Sequence, residues 1–206
     1  MSAVLERSAV PVLSEEDRAR AEHYAVLSRL FAAPADAEFL ATLSNFARNF
    51  GSSESPLGLA WLVLGDAVLA TTPEDLEEEY TRLFLTIGRP EVMLFGSFYL
   101  AGFLMEEPVV ELRDDLAKLG LGRRIGIMES EDHLAALSDV MRHLIVTGPD
   151  AAGLARQKEF FAAHIEPWVD RLSDTLEQAP DARFYPRTAA LVRAFFDIER
   201  LAFDML

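Results

Sequence analysis

The chain has 206 residues, with 19 lysine and arginine against 34 aspartate and glutamate, a net charge of −15 and no cysteine. That length buries a sizeable core without staples, and the missing thiols exclude disulfides, cysteine-held iron–sulfur or zinc sites and a cysteine nucleophile. So acidic a surface repels phosphate backbones, which removes nucleic acid as a partner, and it draws basic peptides.

From the N-terminus, Met1 to Val12 is interrupted by Glu6 and Arg7 and has no long apolar stretch, so no signal peptide is expected. Ser14-Glu15-Glu16-Asp17 reads as a helix entrance with an acid three residues after the serine, opening a helix through Ala32 that buries Tyr24, Leu27 and Phe31. Pro34 ends it, a second helix runs from Asp36 to Phe50, and Pro56 starts a third with Trp61, Leu64 and Val68 on one side. Thr72-Pro73 opens a fourth, carrying Leu76, Tyr80, Leu83 and Phe84 at helical spacing and running towards Ile87-Gly88. The mainly apolar run Val92–Met105 follows, broken by Gly96 and Gly102. As a helix it would span about 21 Å, short of the ~30 Å hydrocarbon core, so it is expected to be a buried segment or a groove wall and no membrane span is expected.

Pro108 to Leu119 is amphipathic, and Gly120, Gly122 and Gly126 mark residues 120–128 as a connector and hinge. Ser130 is placed to cap a helix entered at Glu131, with Leu134, Leu137, Met141 and Leu144/Ile145 inward. Further helices run from Asp150 to Ile165 and from Pro167, and Pro186 opens the last, with Leu191, Phe195, Ile198 and Met205 on one face. The expected fold is all-α: one domain over 1–206, a bundle of about ten helices in two closely packed halves joined by the glycine connector. Such a connector would permit a domain-swapped dimer as well as a monomer.

Motifs for chemistry are sparse. Gly120-Leu121-Gly122 with Gly126 misses the dinucleotide fingerprint by one residue and follows a helix, and neither lysine, Lys118 or Lys158, sits in a phosphate loop. No acid stands three residues before His23, His133, His143 or His164, so no di-iron pattern is present, and no metal or other cofactor is expected. Asp132 and His133 could serve a helical hydrolase or nucleotide-dependent enzyme, yet adjacent helical residues point about 100° apart, which makes a direct relay awkward. No catalytic residue is assigned. The aromatic stretch Tyr80–Phe103 reads either as core or as a groove for something apolar.

Five segments, in order, carry a resemblance: Glu79-Tyr80-Thr81-Arg82-Leu83-Phe84, Phe95-Gly96-Ser97-Phe98-Tyr99-Leu100, Glu131-Asp132-His133-Leu134, His164-Ile165-Glu166-Pro167-Trp168 and Phe184-Tyr185. Together they resemble the TorD/DmsD family of cytoplasmic molybdoenzyme chaperones, also called redox enzyme maturation proteins. The resemblance implies an all-helical, cytoplasmic protein that is not an enzyme. Its partner would be a molybdenum-cofactor oxidoreductase catalytic subunit, bound through its N-terminal leader, often of twin-arginine type, or in its apo form, so that cofactor insertion precedes export. Under that reading the leader's apolar stretch would lie on Tyr80, Leu83, Phe84, Phe95, Gly96, Ser97 and Tyr99, with Asp132 and His133 at the polar edge and Trp168 as core support.

Overall fold

A computed structural model describes residues 13–85, 90–123 and 130–206. Ten helices occur among them: α1 (Glu15–Ala32), α2 (Ala37–Phe50), α3 (Pro56–Leu69), α4 (Pro73–Phe84), α5 (Gly96–Ala101), α6 (Glu107–Lys118), α7 (Leu134–Thr147), α8 (Ala151–His164), α9 (Glu166–Glu177) and α10 (Tyr185–Asp204). The entrances follow local chemistry. Ser14, Asp36, Ser55 and Asp150 each accept a backbone N–H in the first turn, and Thr72 with Asp75 closes a reciprocal capping box ahead of Pro73. No single helix among the described residues is long and apolar enough to cross a membrane.

The inner pair is α1 against α7, and the predicted stripes meet there: Tyr24, Leu27 and Phe31 on one side, Leu134, Leu137, Met141 and Ile145 on the other, all buried. Around it α2 packs on α3, α3 on α10, α10 on α9, and α8 between α7 and α9. A buried ion pair ties the two ends of the chain. Glu199 of α10 accepts from Arg20 Nε at 2.6 Å and Nη2 at 2.9 Å, and from the Tyr24 hydroxyl at 2.9 Å.

Three details depart from the sequence expectation. Helix α7 begins at Leu134 with His133 as its cap, and Ser130 caps nothing, because residues 94–96 pair with 132–134 and hold that backbone extended: Gly96 N–H donates to the Asp132 carbonyl at 3.0 Å and Leu134 N–H to the Leu94 carbonyl at 2.8 Å. Ile198 and Met205 are exposed, since they fall on the side of α10 turned away from its buried positions. Of the expected connector, Gly120 adopts a left-handed φ of 72°, while residues 124–128 lie outside the described residues, as do Ile87-Gly88 at the expected end of the fourth helix.

Candidate functional site

The expected site residues separate into two junctions. The first is built on α5, a six-residue helix without a side-chain cap of its own. Asp132 supplies the cap from across the bridge, its Oδ2 accepting from the Ser97 N–H at 2.8 Å. His133 does the same for the helix that follows, Nδ1 accepting from the Ala135 N–H at 3.1 Å, so a neutral ring carries its proton on Nε2. The His133 ring meets Phe95 edge-on with centroids 5.0 Å apart. Behind α5 stands Trp168. Its indole lies where a Cβ on Gly96 would sit 2.9 Å from Nε1, stacks on Tyr99 at 5.6 Å, and donates to the His164 carbonyl at 2.7 Å. Arg171 donates to the Tyr99 carbonyl. The Ser97 hydroxyl accepts from the Met105 N–H at 3.3 Å and holds that residue at φ 60°.

The second junction joins α4 to α10. Glu79 accepts from three consecutive backbone amides, Arg183 at 2.9 Å, Phe184 at 3.0 Å and Tyr185 at 2.8 Å, and so caps α10 in place of a local residue. The Tyr80 hydroxyl donates to the Phe31 carbonyl at 2.9 Å, and Phe84 meets Tyr185 edge-on at 4.9 Å.

The expectation of an open apolar groove on Tyr80, Leu83 and Phe84 is therefore corrected. All three are buried in the core, because helical spacing turns them inward against α1 and α10. Tyr99 and Ser97 are buried too, Phe95 is half-buried, and Asp132 and His133 are 4% and 8% exposed. Among the described residues an apolar cleft of about 380 Å³ lies between α1 and α2, and a polar one of about 490 Å³ opens at the second junction, lined by Asp75, Glu79, Arg82, Asp181 and Arg183. An Asp132–His133 relay is not formed: each side chain is turned to a different helix N-terminus. Asp132 Oδ1 and the Ser130 hydroxyl are buried without a hydrogen-bond partner among the described residues. Among the described residues no group of His, Asp and Glu is arranged to hold a metal ion.

An exposed apolar run begins in the last turn of α5. Leu100 is 38% exposed, Phe103 71%, Leu104 44% and Met105 59%. Sequence reasoning left Phe103 open between core and groove and named none of the four as a site residue. The available signal was the pair of glycines: Gly102, at φ 84°, reverses the chain and turns the apolar residues after it away from the core. Glu106, Glu107 and Glu111, all exposed, border the patch.

Comparison places this architecture. A crystal structure from Archaeoglobus fulgidus, described provisionally as a redox enzyme maturation protein, superposes with a TM-score of 0.59 at 17% identity, covering 94% of this chain and 99% of that one. The all-helical fold is thus that of the redox enzyme maturation class. The family model for the nitrate reductase delta subunit matches residues 33–174, and the chain belongs to that family, which includes the TorD chaperones. Chaperone protein TorD of Vibrio cholerae is 25% identical over 140 residues, and the match spans 64% of each chain, so this chain covers under two thirds of that relative's length. Chaperone protein TorD of Vibrio atlanticus is 26% identical over 199 residues, 87% of this chain and 92% of that protein.

Proposed function

We propose that the protein is a cytoplasmic chaperone for a molybdenum-cofactor oxidoreductase subunit. It holds the client by its N-terminal leader while the cofactor is inserted, and so delays export. The observation that carries this reading is the exposed run Leu100–Met105, mounted on a helix braced from three directions and bordered by glutamates. Four large apolar side chains exposed within six residues need a partner, since contiguous apolar patches on soluble proteins mark interaction sites. A leader has the matching chemistry: basic residues, then an apolar helix-prone stretch. The apolar stretch would lie on Phe103, Leu104 and Met105 and the edges of Phe95 and Tyr99. Its arginines would meet Glu106 and Glu107, with Gly96, Ser97, Asp132 and His133 holding the seat in shape. The names of the relatives support the same assignment. The −15 charge favours encounter with a basic segment.

The test is a calorimetric titration with synthetic twin-arginine leaders of molybdenum oxidoreductase subunits. At least one leader is expected to bind. Phe103→Ser with Met105→Ser is expected to weaken it at least tenfold, the behaviour of an anchor residue. Leu69→Ser, on the exposed side of α3, is expected to leave it unchanged. A panel in which no leader binds wild type would reject the reading.

A further inference from the structure

We propose that α6 is a latched strap, and that the leader's apolar stretch seats fully by displacing it. This rests on the leader-binding reading and adds how the binding surface is made. The inner face of α6 presents Val109, Leu112 and Leu116, all buried, and this face packs on α5 and, more thinly, on α8. Its outer face carries Glu107, Val110, Glu111 and Asp114, all exposed. Four left-handed residues occur among the described ones, and three of them bracket this helix: Gly102 at φ 84° and Met105 at φ 60° before it, Gly120 at φ 72° after it. A Cβ on Gly102 or Gly120 would meet nothing within 4 Å, so the backbone at both positions has open space in which to change its dihedral angles.

Among the described residues, two side-chain contacts at its rim tie α6 to other segments, a hydrogen bond to a histidine and an ion pair. Asp115 bonds His164 of α8 at 2.9 Å, and Arg113 bonds Glu131 at 2.9 Å. The Asp115 and Arg113 side chains are 38% and 43% exposed, while their partners His164 and Glu131 are 7% and 11% exposed, so water reaches these contacts from the α6 side. Lys118 also pairs with Asp115, but from within α6, so that contact travels with the helix. Contacts open to water on one side are worth at least about a twofold to fivefold bias each towards the closed state. Burial of Val109, Leu112 and Leu116 supplies the larger part of the closing force, and the leader's apolar stretch replaces it by covering the same side chains. Once α6 swings out, Val109, Leu112 and Leu116 extend the patch begun by Phe103–Met105, giving an apolar helix two sides to pack against. The arrangement also accounts for a seat that is almost closed as it stands. An α6 that must open first lowers the apparent affinity by the closed fraction, so weakening the latches tightens binding.

The experiment uses the full chain and a fluorescein-labelled twin-arginine leader that binds wild type. Amide exchange in 107–118 is expected to speed up when that leader binds, with α7 unchanged. Arg113→Gln with Asp115→Asn is expected to tighten binding by about twofold to tenfold. Since the chain has no cysteine, Arg113→Cys with Glu131→Cys can be joined selectively by a short, reducible bismaleimide. The cross-link is expected to abolish binding, and reduction to restore it. Unchanged affinity in the cross-linked protein, or slower exchange in 107–118 on binding, overturns the strap while leaving leader binding intact. If no leader binds wild type, leader binding is rejected and the strap with it.

Discussion

Gly96→Ala isolates the contact on which the α5 junction turns. The new methyl carbon would sit 2.9 Å from Trp168 Nε1, 3.1 Å from Cε2 and 3.4 Å from Cδ1, whereas carbon contacts are most favourable near 3.5–4.0 Å. The indole would have to withdraw by several tenths of an ångström. It is fully buried, its N–H is committed to the His164 carbonyl at 2.7 Å, and its face is stacked on Tyr99. Overpacking of this kind costs about 1–3 kcal/mol. The better helix propensity of alanine returns less than about 1 kcal/mol, because Gly96 is the first residue of its helix. The expected net loss is about 1–2 kcal/mol, a fall in Tm of about 2–8 °C for a chain of this size. Urea unfolding followed by far-UV circular dichroism and tryptophan emission measures it. The same substitution in a Trp168→Phe background, where the crowding atoms are gone, should cost much less, giving a coupling energy between the two sites. A Gly96→Ala protein as stable as wild type, or an equal cost in both backgrounds, would refute the reasoning.

Two further outcomes follow from buried groups on α1. Glu199→Gln takes from the Arg20 guanidinium the buried carboxylate that sustains its charge against the cost of burial, leaving it only the half-buried Asp17 at 3.2 Å, and should cost about 3 kcal/mol in urea unfolding. Arg20→Met with Tyr24→Phe and Glu199→Leu should recover most of that loss by removing the buried members of the network and leaving Asp17 to water, and a triple variant less stable than Glu199→Gln would show the charges themselves to be stabilising. His23 is buried among Phe46, Phe50, Trp61 and Phe195, its Nδ1 against the Ala19 carbonyl and its Nε2 accepting from Trp61 Nε1 at 3.0 Å. Burial lowers its pKa below the ordinary 6.5, so the unfolded chain takes up the proton first. Stability from this group is complete above that value and is lost as pH falls through it towards the lower folded pKa. Chemical denaturation between pH 7.5 and about pH 5 should show that decline, and His23→Gln should flatten it. An unchanged slope would remove His23 from the account.

Much of the helical layout was legible because it is local. The inward stripe of α7 and the caps at Ser14 and Thr72 depend on residues three or four apart. The α7 entrance misled because Ser130-Glu131-Asp132 has the composition of an N-cap, yet its backbone is taken by a bridge to residues 94–96, a pairing that no local pattern announces. Tyr80 and Phe103 looked equivalent, both aromatic and both in apolar surroundings. What separates them is the neighbourhood: Tyr80 faces α1 across a hydrogen bond to Phe31, whereas Phe103 follows a left-handed glycine that turns it outward. The Arg20–Glu199 pair spans 179 positions in sequence, and each residue read alone is an ordinary surface charge.

The motifs that carried the family resemblance are, in the structure, braces. Glu79 closes α10, Asp132 closes α5, His133 closes α7, and Gly96 exists to admit Trp168. Each sits at a place where two segments distant in sequence must meet, and each satisfies backbone groups that would otherwise be buried and unpaired. Residues of that kind are fixed by the fold, and their chemistry is used up in fixing it. Under the proposed function, selectivity between clients has to come from side chains the fold does not consume, and beside α5 those are Leu100, Phe103, Leu104, Met105, Glu107, Val110 and Glu111. It follows that exchanging residues 100–111 between two members of the family should transfer leader preference while unfolding behaviour stays with the parent. Exchanging the segments around Gly96 and Asp132 should do the reverse. A chimera that kept its parent's preference after the 100–111 exchange would place recognition back on the braces.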